Sequence, residues 1–168
     1  MKIHTLFLIT LYGLMASIPA NFNEMKKIEK NGMKVCWQFN EQNIDFKIFA
    51  PTQGWVAIGF NESKGLMGNN LIMGKIKNGK VTISDRYIVG FGDHRAVKDL
   101  GGITHVSQIS GEENSDGTSL QFSISIESMD KYHYDLLQNK AFSLLIAYSQ
   151  DDDFSHHSIM RTSIDIIL

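Results

Sequence analysis

Leu71-Ile72-Met73-Gly74-Lys75-Ile76-Lys77-Asn78-Gly79-Lys80-Val81-Thr82-Ile83-Ser84-Asp85-Arg86-Tyr87 decides the fold class of this chain. Two apolar, β-rich runs flank Asn78-Gly79, and Asn-Gly supplies the two positive-φ residues that a type I′ hairpin requires. Segments 71–76 and 81–87 therefore read as a pair of antiparallel strands. Upstream, Trp55 to Phe60 is apolar on both faces, the mark of an inner strand. Met33, Val35, Trp37 and Phe39 alternate with Lys34, Cys36 and Gln38, and Ile44, Phe46, Ile48 and Ala50 alternate likewise after the polar stretch Asn40 to Asn43. Period-two alternation is that of half-buried strands.

Downstream, Leu120, Phe122, Ile124 and Ile126 alternate with polar residues, Ala141 to Tyr148 is strongly apolar, and Ile159 to Ile167 closes the chain. Between Ile88 and Gly117 lie six glycines, which predicts a long functional loop or a short edge strand around Thr104 to Ile109. Glu127 to Asn139 is the one place for a short helix. The pattern predicts an all-β protein, an antiparallel β-sandwich of about 8–11 short strands with at most one short helix.

Residues 1–20 have the layout of a secretory signal: Lys2, an apolar run from Leu6 to Met15, and small residues ending at Ala20. The run is too short to span a bilayer. The expected mature domain is a single unit, residues 21–168, exported to a periplasm or the cell exterior, with no integral membrane segment after cleavage. Cys36 is the only cysteine, so no intramolecular disulfide can form, and its apolar-alternating surroundings predict a buried small hydrophobe. A formal charge of −2 disfavours nucleic acid as a partner.

Gly54-Trp55-Val56-Ala57-Ile58-Gly59-Phe60 followed by Asn70-Leu71-Ile72-Met73-Gly74-Lys75-Ile76 resembles the central signature of the DOMON family. Val81 to Tyr87, Asp99-Leu100-Gly101-Gly102, Gly111-Glu112-Glu113 and His156-His157-Ser158-Ile159-Met160-Arg161 follow in the family's order. The resemblance implies a β-sandwich with a ligand pocket at one edge, used for b-type haem in some members. In that branch a methionine after the Trp-containing strand and a histidine before the last strand are the axial ligands. Met67 and His157 match best here, with Met73 and His156 as alternates and Leu66, Leu71 and Phe154 as pocket residues. When Gly74 is set on the family's glycine, Leu66 takes the methionine's place and Met67 falls one residue on.

Iron held by both imidazole and thioether has its axial positions filled and favours electron transfer over oxygen chemistry. No Cys-x-x-Cys-His is present, so a haem would be held non-covalently. The expectation is a secreted haem b module that passes electrons to a redox protein partner. A haem-free module gripping a carbohydrate or other small ligand with Trp55, Tyr87, Tyr132 or Tyr148 is the alternative, and a protein-interaction or adhesion domain is a further one. His94 and His105 with His156 or His157 offer metal-ligating side chains, and Asp151-Asp152-Asp153 offers carboxylates, but neither spacing fixes a coordination geometry. No Gly-x-Ser-x-Gly, His-Glu-x-x-His or phosphate-cradling loop occurs, so the chain is not expected to be an independent enzyme.

Overall fold

The computed structural model describes residues 25–128 and 130–168, so the signal reading lies outside the described residues. Two antiparallel sheets pack as a sandwich. The smaller sheet has the order β1-β2-β3-β9-β8, from Lys26–Lys30, Met33–Asn40, Asn43–Ala50, Gly117–Ser125 and Val106–Asn114. The larger has the order β11-β10-β4-β5-β6-β7, from Met160–Ile167, Ala141–Tyr148, Val56–Asn61, Asn70–Lys77, Lys80–Gly90 and Asp93–Ala96. A short 3-10 turn, Val97–Leu100, follows β7. Among the described residues, no helix is long and apolar enough to cross a membrane.

The hairpin at the start of the argument forms as expected: Asn78 and Gly79 have φ of 52° and 72°, and Lys77 pairs with Lys80. Alternation then fixes which side chains meet. Val35, Trp37, Ile44, Phe46, Ile48, Leu120, Phe122 and Ile124 of one sheet bury against Val56, Ile58, Phe60, Ile72, Phe142, Leu144 and Ile146 of the other. Phe46 and Phe60 meet at a ring-centroid distance of 5.5 Å. At Gly74 the sheets come so close that a Cβ would run into the Leu120 side chain.

Three expectations need correction. Glu127 to Asn139 contains no helix among its described residues, because side chains and a distant strand end occupy its backbone groups. Asp135 accepts hydrogen bonds from the Ser128 N–H and hydroxyl, Asp130 accepts from the Tyr132 N–H, and the Leu136 N–H donates to Ile126. Cys36 is half-buried, since strand parity turns it to the outer face of β2 beside Lys34 and Gln38 while Val35 and Trp37 point inward. In the long glycine-rich segment the edge strand expected around Thr104 to Ile109 is present but longer, as β8, and a second strand, β7, precedes it.

Candidate functional site

The same parity that sends Val56, Ile58 and Phe60 into the sandwich sends Trp55, Ala57 and Gly59 to the opposite face of the larger sheet. A second apolar cluster forms there from Trp55, Ala57, Leu71, Met73, Ile88, Leu145 and Ala147, with Leu66 and Phe154 packed against it. A shallow cavity of about 100 Å3, open to solvent, lies over this cluster, smaller than the roughly 300–1,000 Å3 usual for closed small-molecule sites. Its floor is low in the middle because Ala57 and Ala147, paired across β4 and β10, project only methyl groups. Gly59 extends the low strip: a Cβ there would lie 3.1 Å from the Asn69 amide oxygen and 3.3 Å from Leu145 and Leu71.

Three loops wall the cavity. The loop between β4 and β5 is pinned through its backbone: the Asn61 amide donates to Met67 O at 2.8 Å, Gly68 N to Ile88 O at 3.1 Å, and the Tyr134 hydroxyl to Gly68 O at 2.9 Å. So held, the loop turns Leu66 onto the cavity and leaves Met67 outside its lining, 45% exposed. Met73 lines the cavity from β5 and is buried. The loop before β11 brings His156 and His157 to the rim, both exposed, with the Ser149 hydroxyl donating to His157 O at 3.0 Å. Phe154 packs beside the cluster beneath Lys75 Nζ, 4.7 Å from its ring centre. The β6–β7 hairpin adds Asp93 and His94, and Arg161 completes the rim from β11.

His94 has a fixed chemical state. Arg86 Nε donates to its Nδ1 at 2.7 Å, and Arg86 Nη2 donates to its carbonyl at 2.9 Å. Guanidinium only donates, so Nδ1 carries the lone pair and Nε2 the proton. Burial, then the Arg86 charge, hold the imidazole below its ordinary pKa and therefore neutral. With its lone pair spent on Arg86, His94 is no metal ligand in this arrangement.

A second polar cluster sits apart from the cavity lining, under the loops that follow β7 and β9. His133 is buried with Nδ1 2.7 Å from Asp130 and Nε2 2.9 Å from Asp85. Asp85 also accepts the Asn70 amide at 2.8 Å and the His105 N–H at 2.9 Å. Burial lowers the His133 pKa, but the hydrogen bonds and charges of Asp85 and Asp130 outweigh it and raise the value overall. Burial likewise pushes Asp130 up, and the N–H groups of Ile103 and Tyr132 with His133 bring it below the usual carboxylate range. His105 stacks on His133 at 3.8 Å, and its pKa falls through burial and then the neighbouring His133 charge. His105, Asp130 and His133 bring metal-ligating atoms within 4.8 Å of one another. Both His133 nitrogens already face carboxylates, however, and rings stacked 6° from parallel do not aim their lone pairs at one point. The imidazolium itself serves as the cation between two acids.

The loops thus divide the sequence candidates. Met73, His156, His157, Leu66 and Leu71 border one cavity; Met67 lies outside its lining and His105 in the separate stack. Asp151 and Asp153 accept the N–H groups of Asp153 and Ser155 in local turns. Of the aromatics proposed for a sugar platform, Trp55 is buried, Tyr87 and Tyr132 pack edge to face on each other, and Tyr148 packs against the inter-sheet core. Sequence reasoning missed Arg86, Arg161 and the role of His133. The signals for Arg86 and His133 were a charged pair inside an apolar strand and an Asp three residues before a histidine.

Residues 29–149 match the DOMON domain. The chain belongs to the DOMON family. This DOMON domain is 29% identical over 119 residues to "MOXD1 homolog 2" of Drosophila melanogaster, an alignment covering 71% of the chain and 15% of that protein. The chain thus spans about 15% of the length of the relative it matches. Among solved structures it is similar to the cytochrome b domain of pyranose dehydrogenase from Coprinopsis cinerea, with a TM-score of 0.63, 9% identity, and coverage of 85% of this chain and 81% of that one. The cytochrome domain of Myriococcum thermophilum cellobiose dehydrogenase gives a TM-score of 0.58, 12% identity, and coverage of 86% and 81%. At these identities the likeness is one of fold.

Proposed function

We propose that this DOMON domain is an exported binding module that takes a flat, apolar-faced tetrapyrrole of the b-haem type on the outer face of its larger sheet and exchanges electrons with a protein partner. The observation that carries the reading is one apolar cavity with a low, methyl-lined floor, a buried thioether at Met73 and the imidazole of His157 on its rim. This donor set fits the group: the soft sulfur of Met73, the imidazole of His157 and an apolar floor. His157 is the imidazole ligand and Met73, in place of Met67, the thioether within the cavity. A haem held between imidazole and thioether supplies one-electron chemistry at a raised potential. The chain's own part is to bind and orient the ligand.

Titration of the purified domain with hemin, followed by reduction with dithionite, tests the reading. A sharpened Soret band with split low-spin bands is expected, lost in His157→Ala, altered in Met73→Leu and unchanged in Met67→Leu. No spectral change on adding hemin sinks the haem reading, and an unaltered His157→Ala spectrum sinks that ligand. A haem-free small ligand or a protein partner then takes its place. Export rests on the apolar Leu6 to Met15 run and the small residues after it. N-terminal sequencing of the product released by expressing cells checks it, with Asn21 as the expected first residue.

A further inference from the structure

We infer that the cavity selects ligands carrying a carboxylate edge, held by the His94 Nε2–H and the Arg161 guanidinium, with Arg86 as the positioning residue that makes His94 a donor. The inference rests on the porphyrin reading above and adds the chemistry of the ligand's edge.

It starts from the state of His94. Arg86 contacts both Nδ1 and the carbonyl of the same residue, at 2.7 and 2.9 Å. The tautomer with its proton on Nδ1 would set two donors against each other at that distance. His94 therefore offers the cavity rim an N–H and no lone pair. Arg161 on the same rim is likewise a donor. On the floor the Trp55 indole N–H is buried without an acceptor, a cost normally met by a partner. Asp93 is the one carboxylate in the lining, and Arg95 already engages it at 3.0 and 3.4 Å. Its charge is answered outside the cavity. The rim therefore carries a surplus of donors and positive charge over an apolar floor, the complement of a flat apolar body with an acidic margin. Guanidinium and imidazole N–H pairing with carboxylate forms charge-assisted hydrogen bonds, which discriminate strongly against an uncharged ester.

The test uses metal-free protoporphyrin IX and its dimethyl ester, so that axial ligation plays no part, with binding read by quenching of tryptophan fluorescence. The wild-type chain should bind the diacid about tenfold or more tightly than the ester. His94→Phe and Arg161→Gln should each narrow that gap, lowering diacid affinity by more than ester affinity. In parallel, 15N NMR of the histidine rings should find His94 as the Nε2–H tautomer in the wild type and as a mixture of tautomers in Arg86→Leu. A merely structural Arg86 would leave the tautomer unchanged. Equal affinity for diacid and ester, or a wild-type His94 protonated on Nδ1, overturns the edge inference alone. Failure of both porphyrins to bind overturns the porphyrin reading and this inference with it.

Discussion

Two apolar clusters back onto the same sheet, and they are built to opposite ends. Between the sheets, Phe46, Phe60, Phe122 and Phe142 interlock with aliphatic neighbours, and close approach is such that Gly74 has no room for a Cβ. On the outer face, Ala57, Gly59 and Ala147 keep the surface low, and loops rather than a second sheet cover it. The inner cluster is closed between two sheets, whereas the outer cluster has an open volume in front of it. The comparison separates stability from recognition: one face of the β4 strand holds the fold and the other waits for a ligand.

The sharpest way to break this separation is to truncate the inner face. Phe60→Ala should cost about 3–5 kcal/mol, measured by urea denaturation, and should reduce ligand binding only in proportion to the unfolded fraction. Next in size is the buried acid–imidazole cluster. His133→Asn leaves the Asp85 and Asp130 carboxylates facing each other without their cation, at a cost of about 3 kcal/mol. The sign with pH follows from the two shifts. His133 has a raised folded pKa, so its contribution is complete below the unfolded value and fades as pH rises through the folded one. Asp130 has a depressed folded pKa, so its contribution holds above the unfolded carboxylate value and is lost as pH falls through the folded one. The stability gap between wild type and His133→Asn, followed by denaturation across pH, should be widest in the mildly acid range and narrow on both sides. A gap that does not vary with pH would refute the imidazolium assignment.

Filling the outer face should have the reverse outcome of truncating the inner one. Ala147→Leu extends into open volume, so it should change stability by about 1 kcal/mol or less while weakening porphyrin binding at least tenfold, read by fluorescence titration. If it destabilises the chain as much as Phe60→Ala does, the outer cluster is core and the cavity reading fails. Smallest of all is Cys36→Ser on the outer face of β2, expected within about 0.5 kcal/mol by thermal melting. That variant separates a half-buried surface thiol from the buried hydrophobe its sequence neighbourhood predicted.

The fold was legible where one local rule acts alone. Strand period and the Asn78-Gly79 turn gave the sandwich and most of its strands, and Ala141–Tyr148 has the predicted bounds. Asn31-Gly32, with φ of 51° and 78°, joins β1 to β2 in the same way, and this turn was there to be read. Strand β1 escaped because an exposed edge strand carries little alternation, and β7 because four residues are too few to show a period. The 127–139 segment misled because its carboxylates satisfy backbone N–H groups that a helix would otherwise use. For the site, the sequence candidates Leu66, Leu71, Met73, His156 and His157 line the cavity and Met67 does not. Whether Leu66 or Met67 faces the cavity depends on how Asn61, Tyr134 and Ile88 tether the loop backbone, and two of these, Tyr134 and Ile88, lie far from it in sequence. The Arg86 grip on His94 joins two strands, and the His133 bridge reaches from the local Asp130 to the distant Asp85.

The pairing of Val56 with Tyr148 in β4 and β10 has a consequence in time. The cavity floor spans β4, β5 and β10, and the rim histidines precede β11, so the site exists only after the C-terminal hairpin has docked. Closing so long a stretch of chain carries its entropy cost before any contact there is gained. A ligand therefore meets a finished sheet and cannot nucleate it. If the proposed porphyrin binds, it should leave the refolding rate of the chain unchanged and act wholly on unfolding, as a late lock whose removal shortens the native lifetime.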